Sequence, residues 1–360
     1  MTSPGPRSSA GRAAVTKRVF RVPSTGEPLL DLFSAGRAGP RGLGRFTAAE
    51  IEQIQRTVRR APEVMVKVTG GGQSVGAVRA HVSYISQHGE LEIETDEGQR
   101  VAHDAQSALV KDWHLELSAG QYRAPRGRQK ISRTVKLVYN VVLSMPAPTP
   151  PEKVLAAAKT FAREKFALKH RYAMALHTHQ QHPHVHLVVK AESEDGRGRL
   201  HIDKAMLREW RQDFARMMRD QGIAANATSR VVRGQSQRAT RDAAYRAKGR
   251  QSSYALREQI QSVATELSKT GTIRDPAHSR LAETRKAVVA GWMGVAAALD
   301  SQGEITLAGD VRYFAKHLPP VLTDRERLAV AFIQHMQRQR TSDSANKESP
   351  IRDRSNEFAR

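Results

Sequence analysis

The chain has 360 residues, room for two domains, and carries a formal net charge of +22 from 58 Lys and Arg against 36 Asp and Glu. A charge that large calls for a polyanionic partner, nucleic acid first and an acidic membrane surface second. With no cysteine, disulfides, thiolate metal sites and a cysteine nucleophile are excluded, which fits a reducing cytoplasm.

No apolar run approaches the roughly eighteen residues of a membrane span, so no membrane insertion is expected. The N-terminus is basic and rich in Gly, Ser and Pro and lacks the apolar core of a secretory signal. Residues 1–45 read as a disordered basic arm. Residues 47–60 read as a helix, with Thr47 and Glu50 in a capping-box arrangement. Val64–Val68 is a short strand, broken by Gly70–Gly71–Gly72. Ser74 caps a helix whose Val75, Val78, Val82 and Ile85 recur at helical spacing. Tyr84 falls off that stripe, with His81 and His88 three residues before and four after it, and Gly89 is expected to end the helix. An acidic strand-turn follows over 90–100, a helix over 104–117 and a flexible Gly/Arg-rich loop over 118–133.

Lys136–Leu143 is a strong strand, and the Pro-rich 144–150 leads into a helix over 151–167. After the stretch discussed next, Asp195–Gly198 makes a turn and Leu200–Ile202 a short strand. A helix over 204–220 places Met206, Leu207, Trp210, Phe214, Met217 and Met218 on one face. This mixed order predicts an α+β fold, a central antiparallel sheet with helices packed on one face. It spans a domain over 46–238. Residues 239–340 form a helical accessory domain, with helices near 252–270, 278–300 and 323–340, and 341–360 a disordered polar tail.

The stretch from His177 to Lys190, HTHQQHPHVHLVVK, holds five of the fourteen histidines. Its apolar, β-branched tail reads as a buried strand, and Tyr172–Leu176 as that strand's partner across a four-residue loop at 180–183. That loop pairs His179 with His184 and His177 with His186 on one face. Unpaired imidazoles inside an apolar strand are costly to bury, so a metal site is expected. Such a centre lacks an acidic cage and keeps coordination positions open, which favours catalysis, and a phosphate oxygen is the natural occupant in so basic a chain. The nucleophile is then water or Tyr84, and spacing alone does not choose between them.

The histidine run resembles the third motif of the relaxase/mobilisation nuclease family, the two-histidine (HUH) strand transferases, and is most similar to the P-type mobilisation class that includes the T-DNA border nuclease. Gly70–Gly72 followed by HVSYISQHGELE at 81–92 resembles that family's tyrosine motif. VVLSMPAP at 141–148 and NATSRVVRG at 226–234 resemble its strand-and-turn and closing segments. The resemblance implies a flattened antiparallel sheet flanked by helices, with 46–238 as the nuclease domain. It implies that Tyr84 attacks the scissile phosphate of single-stranded DNA at an origin of transfer, giving a 5′-phosphotyrosyl adduct and a free 3′-hydroxyl. It makes His177, His184 and His186 ligands of a divalent metal, Mg or Mn, although three neutral imidazoles suit Zn or Mn better than Mg. Accessory mobilisation proteins and the coupling ATPase of a type IV secretion system are the implied partners, in the bacterial cytoplasm.

One departure stands out. Close relatives carry an acid between the first histidine and the H-x-H, often two positions after the first, where this chain has His179. The orienting role of that acid then passes to a distant carboxylate, with Asp112 or Glu116 as candidates, or His179 is itself a ligand. His81 or His88 is placed to help deprotonate Tyr84. Arg133, Lys190, Arg230 and Arg233 are candidate contacts to the DNA backbone. The competing readings are a rolling-circle replication initiator or transposase with the same chemistry, which typically places its tyrosine after the histidines, and a non-catalytic DNA-binding protein with a structural metal.

Overall fold

The computed structural model describes residues 45–101, 105–123, 135–236 and 254–347. The arm expected over 1–45 falls almost wholly outside these residues, as do Arg133 and 348–360. The chain divides into two compact units, one spanning Ala48–Thr228 and one containing Ser229 onward.

The first unit runs α1 (Ala48–Val58), β1 (Met65–Gly70), α2 (Val75–Ile85), β2 (Ile93–Thr95), β3 (Arg100–Val101), α3 (Ala105–Asp112), α4 (Leu115–Arg123), β4 (Val138–Ser144), α5 (Pro151–Phe166), β5 (Tyr172–His177), β6 (His184–Lys190) and α6 (Lys204–Asp220). Its six strands form one sheet in the order β1-β4-β6-β5-β2-β3, and every pairing is antiparallel. β6 lies inside the sheet between β4 and β5, and all seven of its residues are buried.

Helices cover both faces of this sheet, not one as the element order suggested. Val66, Val141, Leu143, Val185, Leu187 and Val189 point to one face, where they pack with Val154, Phe161 and Phe166 of α5 and Trp210, Phe214 and Met218 of α6. Val138 of β4, Ala173 and Ala175 of β5 and Val188 of β6 point to the other. There they meet Val78, Val82 and Ile85 of α2, together with Leu109, Trp113 and Leu115. The apolar stripe of α2 was legible at helical spacing; what it does not show is that α3 and α4 share the same face.

Two local features set α2 over the sheet. Ser74 accepts a hydrogen bond from the Ala77 amide at 3.2 Å, closing the helix N-terminus. Before it, a Cβ on Gly71 would lie 2.3 Å from the Val138 carbonyl oxygen, and one on Gly72 2.5 Å from a methyl of Val78. The glycine cluster is therefore a close passage of the chain beneath α2.

Other expectations shift. The helix expected over 104–117 is two, broken where His114 adopts φ 50°, and the second runs on to Arg123, into the stretch read as a flexible loop. Leu200–Ile202 forms no strand; its apolar side chains pack on the core, and only Glu192 and Arg199 make an isolated bridge. In the second unit, α7 (Tyr254–Thr270) and α8 (Ala277–Ser301) match expectation. The following α9 (Ile305–Lys316) was not anticipated, and α10 (Asp324–Lys347) extends seven residues beyond 340. Trp292 of α8 stacks edge-on against Phe314 of α9, ring centroids 5.2 Å apart, and donates its indole N–H to the Val232 carbonyl at 2.8 Å. Val232, in the 226–234 segment expected to close the nuclease domain, is thus bonded within the second unit. Among the described residues no helix is long and apolar enough to cross a membrane.

Candidate metal centre and nucleophile

The hairpin β5–β6 forms, in a register two residues from that expected: His177 pairs with His184, and Ala175 with His186. The loop is longer because the end of β4 engages it. Ser144 Oγ and the Met145 amide both donate to the Pro183 carbonyl, and the Ala147 amide donates to His182 Nδ1. A shift of two keeps every side chain on its face, where a shift of one would have reversed them all. His177, His184 and His186 therefore still converge, on the face that also carries Val188.

These three are buried, and each offers a ring nitrogen within 4.8 Å of the others, the one such cluster among the described residues. Their ring centroids lie 4.5 to 5.2 Å apart. Hydrogen bonds sort their nitrogens. His184 donates from Nδ1 to the His182 carbonyl at 3.0 Å, leaving Nε2 as its lone-pair atom. His177 donates from Nε2 to the Ile85 carbonyl at 2.7 Å, leaving Nδ1. His186 Nδ1 is buried without a hydrogen-bond partner among the described residues. Burial lowers the pKa of all three, that of His186 to about 3, with its imidazole neighbours adding to the effect. The rings are neutral at pH 7, the form that ligates metal. Two oriented lone pairs and one orphaned buried nitrogen fit a divalent cation.

Tyr84 stands at the rim, on the last turn of α2. Its ring is half exposed and lies edge-on to His186 at 5.9 Å between centroids. His81, one turn earlier, stacks on Tyr84 at 6.2 Å and approaches His186 at 6.3 Å. Burial lowers the His81 pKa to about 4, and its Nε2 is buried without a partner among the described residues. His88 is off the helix, in a turn where it contacts Ser83 Oγ through Nδ1.

His179 lies beside the triad, 5.1 Å from the His177 ring, and its Nδ1 pairs with Gln87 Nε2 at 2.8 Å. Neither proposed carboxylate orients a ligand. Asp112 pairs with Arg171 and Glu116 with Arg79; the group bonded to His177 is the Ile85 carbonyl. A backbone oxygen leaves no trace in residue type, so sequence reasoning missed it.

The candidate DNA contacts scatter. Lys190 is on the site face of β6, buried, and ion-paired with Glu194 at 2.8 Å. It lies four residues from His186, about 13 Å along the strand. Arg230 is exposed, Arg233 is partly buried, and both belong to the second unit.

A buried triple-histidine centre with a tyrosine at its rim, on an antiparallel sheet covered on both faces by helices, defines the class of site. Residues 84–223 match the family model described as Relaxase: MobA/VirD2-like, nuclease domain. The match begins on Tyr84 and takes in all three histidines, so that this part of the chain is similar to the nuclease domain of relaxase/mobilisation proteins, which are DNA endonucleases and strand transferases. A comparison with curated proteins found no match.

Proposed function

We propose that this protein is a DNA relaxase that nicks one strand at an origin of transfer through Tyr84 and later rejoins it. The observation that carries the reading is the Tyr84 ring set edge-on to His186, within reach of a phosphate held at the histidine centre. The Tyr84 oxygen attacks phosphorus, a P–O bond to Tyr84 forms, and the bond to the 3′ oxygen breaks. That oxygen leaves as a 3′-hydroxyl after taking a proton. The reverse attack by a 3′-hydroxyl restores the phosphodiester and frees Tyr84.

His177, His184 and His186 would hold a divalent cation, which supplies Lewis-acid polarisation and charge neutralisation at the phosphate. The all-nitrogen donor set favours Mn or Zn over Mg. His81, stacked on Tyr84 with a buried nitrogen that has no partner among the described residues, is assigned to accept the phenol proton, and His88, turned to Ser83, is not given that part. Arg230 and Arg233 are assigned to phosphate contacts with the bound strand. Partners in this reading are accessory mobilisation proteins and the coupling ATPase of a type IV secretion system, in a bacterial cytoplasm.

The test is a covalent-adduct assay with single-stranded oligonucleotides tiled across the DNA flanking the protein's own gene, with Mn²⁺. Wild type should give a denaturation-resistant DNA adduct, and Tyr84→Phe none. Equal adduct from Tyr84→Phe would refute the nucleophile. Cleavage without any adduct would make water the nucleophile.

A further inference from the structure

The turn that follows Tyr84 is strained, and its strain is aimed at the histidine site. Gln87 and His88 adopt φ 49° and 59°, and Gly89 follows at 97°. Two successive residues with side chains in the left-handed region are uncommon, and such conformations persist only where surroundings over-determine them. Ser86, fully buried, supplies that support. Its Oγ donates to the Ser83 carbonyl and accepts from the Gly89 amide, and its carbonyl accepts from the Leu91 amide.

The turn sends two groups to the histidine hairpin. The Ile85 carbonyl takes the Nε2 proton of His177, which fixes the tautomer that leaves Nδ1 free. Gln87 Nε2 meets Nδ1 of His179, whose ring lies against His177 and 6.3 Å from His184. Among the described residues no side-chain carboxylate is bonded to His177 or His179. The residue immediately before Ile85 is Tyr84.

We propose that the Ile85 carbonyl and the Gln87–His179 pair form a latch that orients the histidine ligands and ties their geometry to the height of Tyr84 above the site. In this proposal Gln87 and His179 are positioning residues that act through His177 and the end of α2. Because the same contacts hold ligand and nucleophile, cation binding and ordering of the 84–91 turn are coupled, and the coupling is reciprocal. Groups that orient a ligating histidine typically affect metal affinity by about 10- to 100-fold.

The inference rests on the metal-site part of the proposed function, and its test is read without DNA. Mn²⁺ affinity is measured on the full chain by the paramagnetic resonance of free Mn²⁺. Hydrogen exchange of the 80–91 segment is followed with and without Mn²⁺. In wild type, Mn²⁺ should slow exchange there. Gln87→Ala should lower Mn²⁺ affinity about ten-fold and abolish that protection. Gln87→Asn separates linkage from backbone strain. Asparagine tolerates the left-handed region but is one methylene short of His179, so it should lose affinity like alanine. Gln87→Glu, able to accept from His179 Nδ1–H, should bind Mn²⁺ as wild type does.

Wild-type affinity in both Gln87→Ala and Gln87→Asn would overturn the latch. Recovery in Gln87→Asn alone would overturn it too, by reducing Gln87 to a turn former. Absence of Mn²⁺ binding by wild type would remove the metal site itself. Adduct formation by Tyr84→Phe would sink the nucleophile assignment and leave the latch result standing.

Discussion

The two faces of the sheet are made by the same strands and differ by one residue of alternation, yet they have opposite tasks. On one, Val185, Leu187 and Val189 of β6 disappear beneath α5 and α6, around Phe161, Phe166, Trp210 and Phe214. On the other, His184 and His186 alternate with those same valines and leucine. There α2, α3 and α4 pack on Val138, Ala173, Ala175 and Val188, while the histidines gather where Tyr84 ends the cover. The difference teaches that stability and chemistry are divided by strand parity. A closed aromatic and aliphatic layer buries one face of β6, while the opposite face brings three imidazoles together.

That division can be broken from either side. The largest effect is expected from His186→Ala, which should reduce Mn²⁺ affinity by about 100-fold or more while leaving the urea midpoint of the metal-free protein the same or higher. The ring it removes has a buried nitrogen with no partner among the described residues, so its loss orphans nothing. A large drop in metal-free stability would show that the site face also bears the fold.

The converse change is Phe214→Ala beneath the packed face, where Phe214 is fully buried against Phe161. A cost of about 3–5 kcal/mol is expected from lost burial and the cavity left behind. Mn²⁺ affinity of the folded fraction, titrated below the denaturation onset, should stay at the wild-type value. If affinity fell in step with stability, the two faces would not be separable.

The smallest and most graded effect is acid sensitivity. In the metal-free protein burial holds His186 down at about 3, and lowers His177 and His184. In the unfolded chain these rings take protons near the ordinary value of about 6.5. Below that pH the unfolded state therefore binds more protons than the folded one. The stability is full above pH ~6.5 and is lost as pH falls toward the lowered values, by up to about 1.4 kcal/mol per pH unit for His186. Urea midpoints at pH 7, 6 and 5 should fall in turn, and His186→Ala should flatten the trend. A wild-type midpoint constant over that range would contradict the burial of these rings.

Much of the nuclease unit was legible from periodicity. The two-residue alternation of β6 and the helical stripes of α2, α5 and α6 each reflect a face that must be buried, so their side chains announce it. The histidine face was legible for the same reason, and it survived a wrong register because the error was an even number of residues. What failed were features set by partners distant in sequence. The length of the 178–183 loop depends on Ser144, Met145 and Ala147 gripping Pro183 and His182. Leu200–Ile202 is apolar because it packs on the core, and it pairs with no strand. α9 carries Leu307, Val311 and Phe314 at helical spacing, and Phe314 packs on Trp292 of α8, a partner that lies elsewhere in the chain.

The sequence by itself determined which residues share a face and where the buried strands and amphipathic helices lie, because local periodicity and side-chain chemistry suffice for those, whereas it linked Tyr84 to the histidines only through a family resemblance. Only the tertiary structure decided which partners hold the site in place. The Ile85 carbonyl that orients His177 is a backbone group identical in every residue type, and Gln87 and His179 meet across 92 positions of chain. Contacts of that kind exist only once the sheet has closed and α2 has settled on it.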